Sequence, residues 1–253
     1  MTFHTAAFAE DIDPLGALVN IAAVNDDSIF TSGDDIRVPV PLPFLIGAAG
    51  LISATVPVQA QMQSPSLRQV ANIDVEPVGL GLVFGDPSEV AMHPGNPIPL
   101  RGDESLNFLV NTTPAAGAEL HYGIVWFGDG AQQQVNGDIF SVRSTMGVTA
   151  VANAWVNGPL TFGQDLPVGT YDVVGMRVRA AGLVAARLNF IGAAWRPGVA
   201  GAVAINDNMG MHFRYGKMGV WGSFHTNTPP SVEIIAAAGA VTPVVILDLI
   251  ARG

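Results

Sequence analysis

The chain has 253 residues, enough for one large domain or two small ones. Apolar residues make up 49% and charged residues only 13%, about half the usual charged share, which excludes a disordered chain. Cysteine is absent, which excludes disulfide scaffolds, thiol catalysis, zinc ribbons and iron–sulfur clusters; 11 basic against 21 acidic residues, a net of −10, argue against a general nucleic-acid binder.

The N-terminal stretch has no basic region and turns acidic at Glu10, so no secretory signal is expected. Asp13-Pro14 reads as an N-cap followed by proline at the first helical position. Leu15, Leu18, Val19 and Ala22 then recur at helical spacing, which predicts one short helix over 14–24. Residues 38–67 carry no charge. Their apolar heart, between Pro41 and Pro57, spans 15 residues, short of the roughly 20 that a membrane-spanning helix needs. A buried strand with its approach loop is the expectation there; a membrane-active segment, since small-residue apolar runs can insert at interfaces, is the alternative, and membrane contact is not indicated.

Elsewhere, short apolar or alternating runs stand between turn residues and read as strands. Before Pro99 these fall at 36–40, 51–58, 70–75 and 78–84, with weaker runs at 19–24 and 28–31. After it they fall at 105–111, 119–127, 147–156, 170–179, 183–191, 200–205, 217–224, 232–237 and 244–250. Asp129-Gly130, Asn136-Gly137 and Asn157-Gly158 suit positive φ, and Asp129-Gly130 reads as a hairpin turn. So many strands and so few helices predict an all-β chain of antiparallel sandwiches. Prolines at 39, 41 and 43 lead one half and at 94, 97 and 99 the other, which places a boundary near 86–101. The expected division is residues 1–96, holding the short helix and a first sandwich, and residues 97–253, a second; one sandwich with an elaborated N-terminal sheet is the alternative.

Charge divides unevenly. Residues 1–138 hold 16 acids and three bases, a net of −13, and residues 139–253 hold five and eight, a net of +3. Two regions facing different neighbours would give such a split, and so would acids clustered in turns such as Asp26-Asp27 and Asp34-Asp35. Lys217 is the sole lysine, which suggests a surface largely hidden in contacts with other chains.

Chemistry-bearing motifs are sparse. His4, His93, His121, His212 and His225 include no pair at metal-clip spacing, and no phosphate loop, dinucleotide fingerprint or nucleophile elbow occurs. Asp129 beside Glu119 or Asp138 is the one carboxylate pair worth weighing for glycoside hydrolysis. Asp26, Asp27, Asp34 and Asp35 could offer oxygens to calcium but lack the loop order of a calcium hand. The aromatics Tyr122, Trp126, Phe127, Trp155, Trp195, Phe213, Tyr215, Trp221 and Phe224 would line either a core or a sugar-binding face. Arg177, Arg179, Arg187, Arg196, Arg214 and Lys217 share the second half with them and would allow a weak contact with packaged nucleic acid. No catalytic residue, metal ligand or cofactor is assigned.

The succession Pro-Ile-Pro-Leu-Arg-Gly-Asp-Glu-Ser-Leu-Asn-Phe-Leu-Val at 97–110, followed by the runs at 119–127, 166–179 and 221–235, resembles the coat proteins of tailless icosahedral viruses, especially the double-jelly-roll major capsid proteins. The resemblance covers residues 97–253 and brings no catalytic residues. It implies jelly-roll sandwiches standing side by side, a homotrimer that imitates a hexagon, and a shell tiled from trimers together with other virion proteins. On that reading the protein is a structural virion component made in the host cytoplasm. Residues 1–13, with apolar Phe3 and Phe8, would form an assembly arm on a neighbouring subunit, whose deletion weakens assembly and spares the fold. A non-viral self-assembling subunit, a sugar-binding sandwich module and a sandwich glycosidase are the competing readings.

Overall fold

A computed structural model of the chain describes residues 1–13, 16–52, 57–67, 73–75, 91–112, 119–201, 212–236 and 239–252. Its first eleven strands are β1 (Phe3–Ile12), β2 (Val19–Asn20), β3 (Thr31–Ser32), β4 (Asp35–Arg37), β5 (Phe44–Ile52), β6 (Pro57–Gln63), β7 (Ile73–Val75), β8 (Ala91–Met92), β9 (Ile98–Pro99), β10 (Ser105–Thr112) and β11 (Glu119–Gly128). The next six are β12 (Phe140–Thr145), β13 (Val148–Ala150), β14 (Val156–Pro159), β15 (Thr161–Phe162), β16 (Thr170–Arg179) and β17 (Leu183–Asn189). The chain then continues through β18 (Gly198–Ala200), β19 (Gly222–His225), β20 (Ser231–Ala236), β21 (Gly239–Val241) and β22 (Val244–Arg252). Every strand pairing among the described residues is antiparallel, and none of those residues is in an α-helix. The protein is all-β.

Two sheets form the first half. One has the order β1-β11-β5-β8, with β9 also on β5; the other runs β3-β4-β10-β6-β7, with β2 also on β10. Ala6, Phe8, Leu45, Ala48, Val125 and Phe127 from the first sheet meet Ile36, Ala60, Met62, Leu106, Phe108 and Val110 from the second in one core. The Phe8 and Phe108 rings lie 5.7 Å apart within it. Gly123 is required there, because a Cβ at that position would come within 2.5 Å of the Phe108 ring.

The second half repeats this order. Its sheets run β12-β22-β16-β19, extended by β15 on β12, and β14-β20-β17-β18; β13 and β21 form a separate two-stranded ribbon. Counting only β1, β4, β5, β6, β7, β8, β10 and β11, the first half pairs strands one, eight, three and six in one sheet and two, seven, four and five in the other. The strands β12, β14, β16, β17, β18, β19, β20 and β22 follow the same permutation. In β16 a bulge between Val173 and Gly175 puts Tyr171 and Val173 on the same buried face as Met176 and Val178, despite the odd-to-even change in number.

The other face of the β1-β11-β5 sheet is also buried. Phe3, Ala7, Ala9, Ile46, Ala49, Tyr122, Ile124 and Trp126 belong to the larger core that the second half supplies. Trp126 packs at a tilt 5.3 Å from Phe213 and donates its indole N–H to the Gly198 carbonyl at 3.0 Å, while Phe3 meets Trp221 edge-on.

Three sequence expectations change here. The helix over 14–24 does not form in residues 16–24, and Pro14 and Leu15 lie outside the described residues. Gly16 takes φ +77°, and Val19 and Asn20 extend to pair with β10. Extension sends Ile21 into the first core and Val24 into the second, which a helix, placing both on one face, could not do. Strand pairing also divides the chain between Gly128 and Phe140 and not at 96/97, because β10 and β11 complete the first pair of sheets. Finally, residues 3–12 are a strand of their own chain's central sheet and not a free arm. Phe3 is 1% exposed and Phe8 is fully buried, and β1 pairs with β11 along its whole length. The strand expected at 78–84 and most of the one at 200–205 lie outside the described residues.

Deleting residues 1–13 removes a strand that carries both cores, so the expected outcome is loss of the fold, read as a collapsed near-ultraviolet circular dichroism signal. A truncated chain that keeps a native-like spectrum and a cooperative thermal transition contradicts this placement.

Candidate functional site

The seam between the halves is where charged chemistry concentrates. On the sheet β14-β20-β17-β18, Asn157, Glu233, Arg187 and Gly198 stand directly opposite one another across the four strands. They therefore share one face. That face meets the first half: the Arg187 Nη1 donates to the Thr5 carbonyl at 3.0 Å and to the Asp26 carboxylate. Its Nε donates to Glu233 at 2.6 Å, and its guanidinium lies 4.0 Å from the centre of the Trp155 ring. Gly198 is needed beside it, since a Cβ there would come within 2.6 Å of the Arg187 Cβ. Arg187 is wholly buried, so every one of these contacts replaces water.

Arg196 and His4 close the network. The Arg196 Nη1 donates to Glu233 at 2.9 Å, and its Nη2 lies 3.8 Å from exposed Asp27. The Arg196 backbone N–H donates to His4 Nδ1 at 3.1 Å, and the Thr5 N–H donates to the Arg196 carbonyl at 3.0 Å. With Nδ1 accepting, the imidazole proton sits on Nε2 and is donated to Asp26 at 3.0 Å. Burial holds the His4 imidazole below its ordinary value; the bond to Asp26 opposes this, and the charges of Arg187 and Arg196 reinforce it. Burial alone would raise the Asp26 carboxyl, but His4 and Arg187 together hold it well below the usual carboxylate range.

This network borders a cavity of about 350 Å³. Asn25 and Asp27 line it from the first half, and Trp155, Asn157 and Asn189 line it from the second, beside Arg187, Arg196 and Glu233.

A second buried pair lies inside the second half. The Arg214 guanidinium forks onto Asp248, Nε to Oδ2 at 2.6 Å and Nη2 to Oδ1 at 2.7 Å, and the Ser141 hydroxyl and the Tyr215 N–H also donate to that carboxylate. Burial would raise the Asp248 carboxyl, and these donors hold it down. A Cβ at Gly175 would come within 2.6 Å of Asp248, so the β16 bulge and this pair are one construction. Tyr215, at φ +56°, stacks under Arg214.

The residues singled out from sequence are dispersed. Asp129 accepts the Thr2 and Ala131 N–H groups at 2.9 Å each, a turn role; β11 and β12 lie in different sheets, so the turn closes no hairpin. Asp34 and Asp35 accept from Asn20 and Asn107 and hold the β3–β4 turn against β10. Among the described residues no group of three or more histidines and carboxylates could hold a metal ion, and no helix is long and apolar enough to cross a membrane. Of the nine aromatics, Trp155 alone lines the cavity. Of the six basic residues, Arg187, Arg196 and Arg214 are engaged in the ion pairs above. Sequence reasoning did not single out Glu233 or Asp248, although each is a lone charge inside an apolar strand.

No family model matches the chain, and no curated protein matches it. Among solved structures it is similar to the major capsid protein P2 from bacteriophage PM2, at 9% identity over 98% of both chains, with a TM-score of 0.23.

Replacing Arg187 by Met leaves Asp26 and Glu233 buried without their main partner, and the expected loss is about 3–5 kcal/mol in urea unfolding. A loss below about 1 kcal/mol contradicts its central place in the network. The titration has a defined sign. Because folding lowers the His4 pKa below 6.5, the unfolded chain binds protons first as pH falls; this stability is full above about 6.5 and declines below it. Asp26, depressed below 3.8, adds a loss of the same sign at lower pH, and half-buried His93 and buried His121 add to the first limb. The urea midpoint should therefore fall from pH 7 to pH 5, with a shallower slope in His4→Gln; an unchanged slope refutes the His4 contribution.

Proposed function

We propose that each half is a jelly roll and that the chain is a structural coat protein, a major capsid subunit that assembles as a homotrimer into an icosahedral shell. The observation that carries the reading is the repetition of one eight-strand order in both halves. Jelly rolls built on such paired four-stranded sheets are recurrent modules of viral capsids and also of lectins and cupins. Two of them in one chain, joined through a buried network, make a rigid block with two similar lobes. Three such blocks around an axis present six lobes, the outline that tiles a closed surface.

Charge supports a head-to-tail arrangement. The acid-rich span 1–138 coincides with the first pair of sheets and the span 139–253, at +3, with the second. A ring in which each first half faces the next chain's second half brings opposite signs together at every contact. Other virion proteins and packaged nucleic acid are the further partners of this reading, and the virion is its location.

Native mass measurement with electron micrographs of the same sample tests the proposal. The expected species is three times the chain mass of 26.3 kDa, or closed particles of uniform size, with association weakening as salt is raised. A clean monomer at micromolar concentration overturns it.

A further inference from the structure

The cavity at the seam has a composition that selects its occupant. Its charged lining, Arg187 and Arg196 against Asp27 and Glu233, is balanced, and Asp26 lies behind Arg187. A charged ligand therefore gains little net attraction there. Asn25, Asn157 and Asn189 supply amides that each donate and accept. Hydroxyl groups, which also donate and accept, match that pattern better than purely accepting or purely donating groups.

Two donors in the wall are unspent. Arg187 Nη2 and Trp155 Nε1 are both shielded from solvent and have no acceptor among the described residues. Buried N–H groups in this condition are unusual and gain from any oxygen brought within reach. Trp155 is half-buried, with Arg187 stacked on its ring, and both residues line the cavity, so the two donors lie just behind its surface. The volume of about 350 Å³ falls at the small end of ligand sites, the size of a mono- or disaccharide.

The geometry points to a binding site for a neutral polyhydroxylated ligand, a sugar unit of a glycan, in this cavity. The site takes Asn25 and Asp27 from the first half and its remaining residues from the second, so an occupant would bridge the two lobes. The inference stands apart from the coat reading, since it concerns a single chain and holds for a monomer as well as a shell.

The test uses the full chain and the methyl glycosides of glucose, galactose, mannose and N-acetylglucosamine at millimolar concentration, with glycerol as control. Saturation-transfer NMR and tryptophan fluorescence are the readouts. At least one glycoside is expected to show transfer and a fluorescence change above the glycerol level. Asn157→Ala and Asn25→Ala, both at exposed positions, should weaken that binding at least tenfold with an unchanged thermal midpoint, and Trp155→Phe should abolish the fluorescence change. Absence of transfer from all four sugars overturns the inference, as does transfer matched by glycerol or unaffected by Asn157→Ala. The oligomeric state of the same samples reports separately on the coat reading.

Discussion

A guanidinium without access to water has to be neutralised by its immediate contacts, and in this protein that requirement decides how the two halves meet. Arg187 draws Asp26 and the Thr5 carbonyl from one half and Glu233 from the other. Apolar faces alone would tolerate a slip of one residue at some cost in packing. Directed bonds from one buried fork do not, because each orphaned partner would carry an uncompensated charge or dipole. The His4 tautomer follows from the same geometry: Asp26 on one side and the Arg196 N–H on the other leave one arrangement of its proton. The ionic network thus adds register to a seam whose adhesion comes from Trp126, Phe213, Trp221 and Phe3.

Because the second half covers it, the β1-β11-β5 sheet is buried on both faces, and its composition answers that constraint. Ala48, Ala49, Gly47 and Gly50 in β5 and Ala6, Ala7 and Ala9 in β1 keep the layers close, with large rings distributed among them. A sheet buried on two sides loses the alternation that announces a strand. This is why β1 could be taken for an arm and why the charge-free span 38–67 suggested only an approximate strand. Where one face meets solvent or a polar layer, as along β10, β16 and β20, the strands were legible almost to the residue, and so was doubly buried β11, whose run of Ile124, Val125, Trp126 and Phe127 marks a strand by residue type instead of alternation. β12 escaped for another reason: its inward positions are Val142 and Ser144, and Ser144 is satisfied by the Val245 carbonyl, so the apolar signal is a single residue.

The site was less legible than the fold, for a reason visible in particular residues. Arg187, Glu233 and Asp248 each interrupt an apolar strand, a pattern that in isolation marks a paired buried charge. Their partners Asp26, Arg196 and Arg214 lie in loops at sequence separations that no local spacing encodes. Sequence could nominate such charges but not match them. The same holds for the repeated strand order: the proline-led starts hinted at duplication, but the pairing that defines it joins residues as far apart as Phe3 and Gly128.

The edges of the sheets bear on how copies of such a block would meet. β1 is an edge strand ten residues long, yet its outer side is occupied: the Thr5 N–H by Arg196, the Ala9 N–H by Ala22, and the Ala7 carbonyl by Val24. The other outermost described strands, β3, β7, β8, β14, β15, β18 and β19, span two to four residues each. Short or covered edges leave little for a neighbour to extend by strand addition, the route that leads to open-ended fibres. In the proposed assembly, contacts between copies would then fall to side chains and loops, where charge has its largest effect on orientation. In a chain with 16 of its 21 acids in the first 138 residues, that arrangement would place the burden of choosing a partner face on electrostatics.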